Sequence, residues 1–139
     1  MKLVAYIDGS SKGNPGEAGY GLVLRDQAGT ILRKVGKYIG HATNNVAEYN
    51  GLIGCLEYVQ ELNASRVTVF SDSELLVNQI NGKYKIKKPH LQTLYNKIQN
   101  MLGDSNIELE ISHIPREQNN EADGLARQAV DAKAEVSVP

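Results

Sequence analysis

Two apolar runs in this chain each end on an aspartate: Leu3-Val-Ala-Tyr-Ile-Asp8, and Val67-Thr-Val-Phe-Ser-Asp72. Runs of this length and composition read as strands buried on both faces. Ligands of open α/β sheets bind outside the carboxyl ends of such strands. If the two runs are neighbours, their aspartates sit side by side, and like charges at that range repel unless a cation lies between them. The plain alternative is an Asp that caps the following turn or helix. For Asp72, which immediately precedes Ser73, that alternative stands.

The remaining elements fit around these two strands. Residues 19–25 and 30–39 read as two further strands joined by the polar segment Asp26 to Gly29, a hairpin signal. A helix is expected over 44–62, capped by Thr43 or Asn44, with Leu52, Cys55, Leu56, Val59 and Leu62 at helical spacing. The strand at 66–71 is followed by a short helix from Ser73, ended by Asn81-Gly82, and by another from Pro89 to about 102. Residues 107–113 alternate as a fifth strand, and a last helix spans about 118–132. Strands alternating with helices in the second half imply parallel pairing there, and the first part implies a meander, so a mixed sheet is expected.

At 139 residues the chain is expected to be one domain, 1–132, with a flexible tail over 133–139. A core of ordinary size suffices at this length without disulfides. The single cysteine, Cys55, reads as a core residue, and its having no partner favours a reducing, cytoplasmic setting. No leader peptide and no membrane-length apolar stretch is visible, and a chain beginning at Met1 is expected to stand alone. The net charge of −1 counts against a nucleic-acid-binding protein, which usually carries a basic face, although a local basic patch is compatible with it.

Two further acids carry information. Counting 4, 7 and 11 residues on from Glu48 reaches Leu52, Cys55 and Val59, so Glu48 lies in line with the core stripe of its helix. A charge there is unfavourable unless paired or bound to a cation; the alternative is a first-turn Glu that leans into solvent. Asp123, early in the last helix, is by itself an ordinary surface acid.

Residues 8–16 read Asp-Gly-Ser-Ser-Lys-Gly-Asn-Pro-Gly, with no helix after the glycines and no Gly-Lys-Ser/Thr, which excludes a dinucleotide fingerprint and a P-loop. Then come Gly19-Tyr20-Gly21, Thr43-Asn-Asn-Val-Ala-Glu48, Ser71-Asp-Ser73 and Asn120-Glu-Ala-Asp-Gly-Leu-Ala126. In this order, and over residues 3 to about 130, these motifs resemble type 1 ribonuclease H. The resemblance implies an α/β ribonuclease H-like fold: a five-stranded mixed sheet, order 3-2-1-4-5 with strand 2 antiparallel, and helices on both faces. It implies an endonuclease that hydrolyses the RNA strand of RNA–DNA hybrids by a two-metal-ion mechanism, leaving 5′-phosphate and 3′-hydroxyl ends. Asp8, Glu48, Asp72 and Asp123 would be the catalytic, metal-binding acids. Asp8 would bridge two Mg²⁺ ions, with Mn²⁺ a possible substitute; Glu48 and Asp72 would hold one ion and Asp123 the other.

The resemblance also implies that Asn14, Asn44 and Asn45 line the hybrid's minor groove, with Gly13 and Thr43 close by. Two departures stand out. Many relatives carry a His ahead of the last Asp; here Arg116 is favoured for that place, assisting phosphate or product release, with His113 as the rival. The basic protrusion of many relatives is missing, and Lys83, Lys85, Lys87 and Lys88 form the only dense basic run, expected to hold the DNA strand with Tyr84 on a sugar. A solvated loop is the alternative for that run. Hybrid binding as a monomer, with no membrane and no obligate protein partner, is the expectation. The rival readings are a 3′–5′ exonuclease on a similar sheet, a hybrid-binding module that no longer cleaves, and a core domain of a larger polymerase or helper protein.

Overall fold

The computed structural model describes residues 1–138. The chain runs β1 (Lys2–Lys12), β2 (Gly16–Asp26), β3 (Ile31–Ala42), α1 (Asn44–Glu61), β4 (Arg66–Ser71), α2 (Glu74–Ile80), α3 (Pro89–Asp104) and β5 (Glu108–His113). A single 3₁₀ turn (Arg116–Gln118), α4 (Asn120–Ala132) and β6 (Val136–Ser137) complete it. The sheet order is β5-β4-β1-β2-β3-β6. β1 pairs parallel with β4 and antiparallel with β2, and β4 pairs parallel with β5. This is the expected mixed sheet with one strand added.

That sixth strand corrects the expectation for the tail. Val136 and Ser137 pair with Gly36 and Val35 of β3, and Val138 N–H donates to the Lys34 carbonyl at 2.8 Å. The physical reason is the open edge of β3, whose unpaired backbone groups accept any short extended segment that reaches them.

Alternation along β1 sorts its residues between the two faces. Leu3, Ala5 and Ile7 are fully buried, and with Leu22, Leu24, Val67 and Val69 they form the floor of the main core. α1 covers that floor with Tyr49, Leu52, Cys55, Leu56 and Val59, and α3 adds Leu91 and Ile98. The expected stripe of α1 is therefore the buried one; Leu62 sits at its C-terminal cap, partly buried against the same core. Cys55 is fully buried and its thiol is pushed up to about 12 by burial, consistent with a packing role. Tyr20 lies over Gly51 and Gly54 of α1, where a Cβ on Gly54 would come within 2.3 Å of the tyrosine oxygen. α4 lies on the opposite face, its backbone against Gly21 and Gly36.

β1 is longer than its apolar run. It continues past Asp8 to Lys12 because β2 stays paired with it to the end, Lys12 opposite Glu17. β4 does not: its last pair is Ile7 opposite Ser71. Asp8 is thus inside a strand, at the point where that strand loses its parallel neighbour, and Asp72 follows the last residue of β4. Among the described residues no helix is long and apolar enough to cross a membrane.

Candidate functional site

The first acid is set by the sheet. Asp8 emerges beside the end of β4 and is 6% exposed. Asp72 stands between β4 and α2, and it does not cap α2: Ser73 does, its hydroxyl accepting from Leu76 N–H at 3.2 Å. Glu48 comes from α1, a helix capped by Thr43, whose hydroxyl accepts from Val46 N–H at 3.2 Å. Glu48 does not lean into solvent. It is 7% exposed, and its Oε1 accepts from Gly9 N–H at 2.9 Å. Gly9 has to be glycine here, because a Cβ would lie 2.4 Å from the Glu48 nitrogen.

The three meet in one place. One carboxylate oxygen from each of Asp8, Glu48 and Asp72 lies within 4.8 Å of the other two. Burial is the largest cause holding Asp8 above the ordinary carboxylate range, up to about 10, with repulsion from Glu48 and Asp72 adding to it. Burial likewise pushes Glu48 up to about 8, while the Gly9 N–H works in the opposite direction. Among the described residues, Glu48 Oε2 is buried and has no hydrogen-bond partner. Three converging carboxylates with one oxygen left over fit a divalent cation, which prefers hard oxygen ligands and removes the repulsion.

Asp123 borders the same cleft as Asp8 from the first turns of α4, but lies outside the tight trio. Arg127 holds it: its Nε donates to Asp123 Oδ1 at 3.2 Å and is as close to Oδ2. Sequence reasoning gave Arg127 no role, although an acid and a base four residues apart on a helix are visible as a pair. It also passed over Asn119, a buried residue at the start of α4 whose amide nitrogen reaches the Ile7 carbonyl. Asparagine at that position reads as an ordinary helix cap, so nothing in the pattern marked it.

Arg116 and His113 are separated by the fold. Arg116 lines the cleft, with its Nε 3.8 Å from Asp72 Oδ2 and its side chain 84% exposed. His113 ends β5 opposite Ser71 and is exposed outside the lining of the cleft. Arg116→Ala is therefore expected to lower kcat about tenfold, the scale of one exposed charged contact to a phosphate, and His113→Ala to stay within about twofold. Steady-state kinetics on both variants checks this; a loss confined to the histidine variant would reverse the assignment.

Of the expected binding residues, Asn44 and Asn45 line the cleft beside the acids. Gly13 and Asn14 sit in the turn between β1 and β2, which is tied to the start of α1. Asn14 Oδ1 accepts from Asn44 N–H at 3.0 Å, and Ser11 Oγ donates to the Ala42 carbonyl at 2.9 Å. Thr43 is occupied as the cap of α1. The lysines lie farther along. Lys83, Lys85, Lys87 and Lys88, with Tyr84, line a separate groove of about 600 Å³ that also touches Asn45 and Leu91. This segment is anchored: Gln79 accepts from Tyr49 Oη at 2.6 Å and donates to the Lys85 carbonyl at 3.2 Å. Tyr84 is 44% exposed, and its hydroxyl donates to Glu74 at 3.1 Å.

Comparisons with known proteins agree with this layout. The reverse transcriptase-like family matches residues 6–129. A bifunctional protein of Mycobacterium tuberculosis is 43% identical over 136 residues, 97% of this chain; the chain spans only 37% of that relative's length. Among solved structures, LC11-RNase H1 in complex with an RNA/DNA hybrid superimposes with a TM-score of 0.90 at 41% identity, covering 94% of this chain and 98% of that one. RNase H1 from the halophilic archaeon Halobacterium salinarum gives a TM-score of 0.90 at 36% identity, covering 95% and 99%. With a family match over nearly the whole chain and full-length structural counterparts above a third identical, this chain belongs to the ribonuclease H family.

Proposed function

We propose that the chain is an endonuclease that hydrolyses the RNA strand of RNA–DNA hybrids with the help of divalent cations, Mg²⁺ first and Mn²⁺ as a substitute. The observation that carries this reading is the trio Asp8, Glu48 and Asp72, gathered within 4.8 Å around an unpartnered Glu48 oxygen. Asp8, Glu48 and Asp72, with Asp123 beside them, are the groups that would hold the ions. Ions held there would supply the Lewis acidity for water activation and for offsetting charge on the leaving oxygen, with 5′-phosphate and 3′-hydroxyl ends as the expected products. The chain's own residues prepare the cleft. The Gly9 N–H fixes Glu48, and Arg116 stands at the mouth, where it would meet the phosphate as the fragment leaves.

Recognition of the RNA strand is assigned to Asn14, Asn44 and Asn45, with Gly13 allowing close approach and Thr43 holding the helix start. Because Asn14 spends its oxygen on Asn44 N–H, its amide hydrogens stay available to a base edge or sugar. Glu48, next to this row, is suited to accept from a 2′-hydroxyl, the group that separates RNA from DNA. The lysine groove would hold the DNA strand through its phosphates, and the helix-free segment 81–88 is read as the shortened counterpart of a basic protrusion. Cleft and groove belong to one chain, which supports action as a monomer. The single buried Cys55 suits a cytoplasmic setting.

The test is cleavage of an end-labelled RNA–DNA hybrid with Mg²⁺, with Mn²⁺ and with EDTA, alongside single-stranded RNA and duplex DNA. RNA-strand fragments bearing 3′-hydroxyls, seen only with metal and only from the hybrid, are expected. Binding without cleavage would favour the silent module, and cleavage in EDTA would overturn the metal reading. Replacing all four lysines by Ala is expected to raise KM about tenfold at low salt. It should also reduce the slope of log KM against log salt by about one for each phosphate that a lysine no longer neutralises. An unchanged slope would remove the groove from the substrate path.

A further inference from the structure

α4 begins without a side-chain cap. Asn119 occupies the cap position, and asparagine there ordinarily turns its side-chain oxygen onto a free N–H of the first turn. It makes no such bond here. The side chain instead points into the protein. The residue is 1% exposed, and its Nδ2 donates to the Ile7 carbonyl at 2.8 Å, across 112 residues of sequence. Its Oδ1 is left buried and without a partner among the described residues. The amide orientation is settled by this bond, since the reversed amide would set two oxygens against each other.

Both ends of this link matter. Ile7 carries the peptide that leads into Asp8 and is the last β1 residue opposite β4. Beyond it β1 has no parallel neighbour to fix its height. Asn119 supplies what the missing strand would have supplied. At its other end, the Asn119 carbonyl accepts from Asp123 N–H at 3.1 Å, the first backbone bond that places Asp123 on the helix. One residue therefore joins the backbone before Asp8 to the turn that carries Asp123.

Stability alone does not account for this choice. A residue selected for the fold would cap α4 and satisfy its oxygen, whereas this one forgoes the cap and leaves a buried carbonyl unmatched, two unfavourable features at one position. Such locally unfavourable features concentrate where geometry serves a site.

We propose that Asn119 is a positioning residue that sets the distance between the Asp8 and Asp123 carboxylates, and so the spacing of the cation sites they share. This rests on the function proposed above. Asn119 touches neither substrate nor cation and acts through the two acids.

The experiment compares wild type, Asn119→Ala and Asn119→Ser by hybrid-cleavage kinetics per folded molecule, thermal melting, and Mg²⁺ titration followed by NMR shifts of the Gly9 and Gly124 amides. Both variants are expected to lower kcat about 10- to 100-fold with KM within about threefold. The Mg²⁺ concentration for half-saturation should rise several-fold. The melting midpoint should fall by a few degrees, because the Ile7 carbonyl loses its donor even as the unmatched oxygen goes; serine, which keeps a short donor, should be the milder variant. A kcat per folded molecule and a Mg²⁺ half-saturation both unchanged, whatever happens to the melting midpoint, would make Asn119 merely structural and overturn the proposal. Failure of the wild type to cleave any hybrid would instead overturn the proposed function, and the Mg²⁺ titration would still decide whether Asn119 sets the cation spacing.

Discussion

Asp8→Asn is expected to remove hybrid cleavage, by about a thousandfold or more, while making the metal-free protein more heat-stable at neutral pH. The first half follows from position. Asp8 is a buried member of the trio and lines the same cleft as Asp123, so it would be shared by the ions the acids hold. A loss of that size equals roughly 4 kcal/mol of transition-state stabilisation. The second half follows from electrostatics. Asp8 and Glu48 both bind protons more tightly in the folded protein than in the unfolded chain, where carboxylates titrate near 4. A group raised in this way gives stability that is fully present at acid pH and lost as pH rises toward the folded value. Stability of the metal-free protein should therefore fall from about pH 4 toward pH 8 and beyond, the range spanned by these two groups. Each tenfold difference in proton affinity is worth about 1.4 kcal/mol. Asn in place of Asp8 keeps the shape and is neutral without having to take up a proton on folding, so the midpoint at pH 7–8 should rise by on the order of 5 °C. The gap should close near pH 3–4, and Mg²⁺ should raise the wild type more than the variant. Melting curves across pH, with EDTA and with Mg²⁺, check every part. A variant less stable than wild type at pH 8 in EDTA would show that neither burial nor its neighbours raise the proton affinity of Asp8 in the folded protein.

How much of this was legible beforehand differs from residue to residue. β4 was readable to the residue, because Val67 and Val69 alternate with residues of the other face and Asp72 stops the run. α1 was readable because Leu52, Cys55, Leu56 and Val59 recur at helical spacing behind the Thr43 cap. Glu48 announced itself by standing in that stripe, and its burial is what the stripe implied. Asp123 did not: its approach to Asp8 depends on where α4 crosses the sheet, which no local pattern encodes. β1 beyond Asp8 was hidden because Gly9, Ser10 and Ser11 have no apolar alternation, and their strand conformation comes from pairing with β2. β6 was hidden for a related reason. Two paired residues are too few to show a period, and their partner is an edge created by the rest of the fold. Asn119 went unmarked because a buried link and a helix cap call for the same residue type.

The glycines of β2 and β3 lead to the other large expected effect. Gly21 and Gly36 face each other across the β2–β3 pair. A Cβ on Gly21 would lie 1.8 Å from the Ala122 carbonyl oxygen and 2.9 Å from Ala126 N; one on Gly36 would lie 2.2 Å from the Leu125 oxygen. These are backbone atoms of α4, so no side-chain rotation relieves the overlap. The helix itself must lift from the sheet, along with Ala126, Ala129 and Val130, which are buried beneath it. Inserting one methyl into a packed core costs about 1–3 kcal/mol where side chains can adjust. Here Gly21→Ala should reach the top of that range or pass it, at about 3 kcal/mol or more, with a fall in melting midpoint on the order of 10 °C. Gly124→Ala supplies the contrast within the same helix. Nothing lies within 4 Å of a Cβ there, and Gly124 is an interior helical residue. Alanine should stabilise it by about 0.5–1 kcal/mol through helix propensity and a less flexible unfolded chain. The two variants make the same chemical change in opposite surroundings, and their melting curves should move in opposite directions. The displacement in Gly21→Ala also carries Asp123 and Asn119 away from β1, so the activity of its folded fraction should fall. A Gly21→Ala protein as stable as wild type would mean that α4 does not rest on the strand at this point.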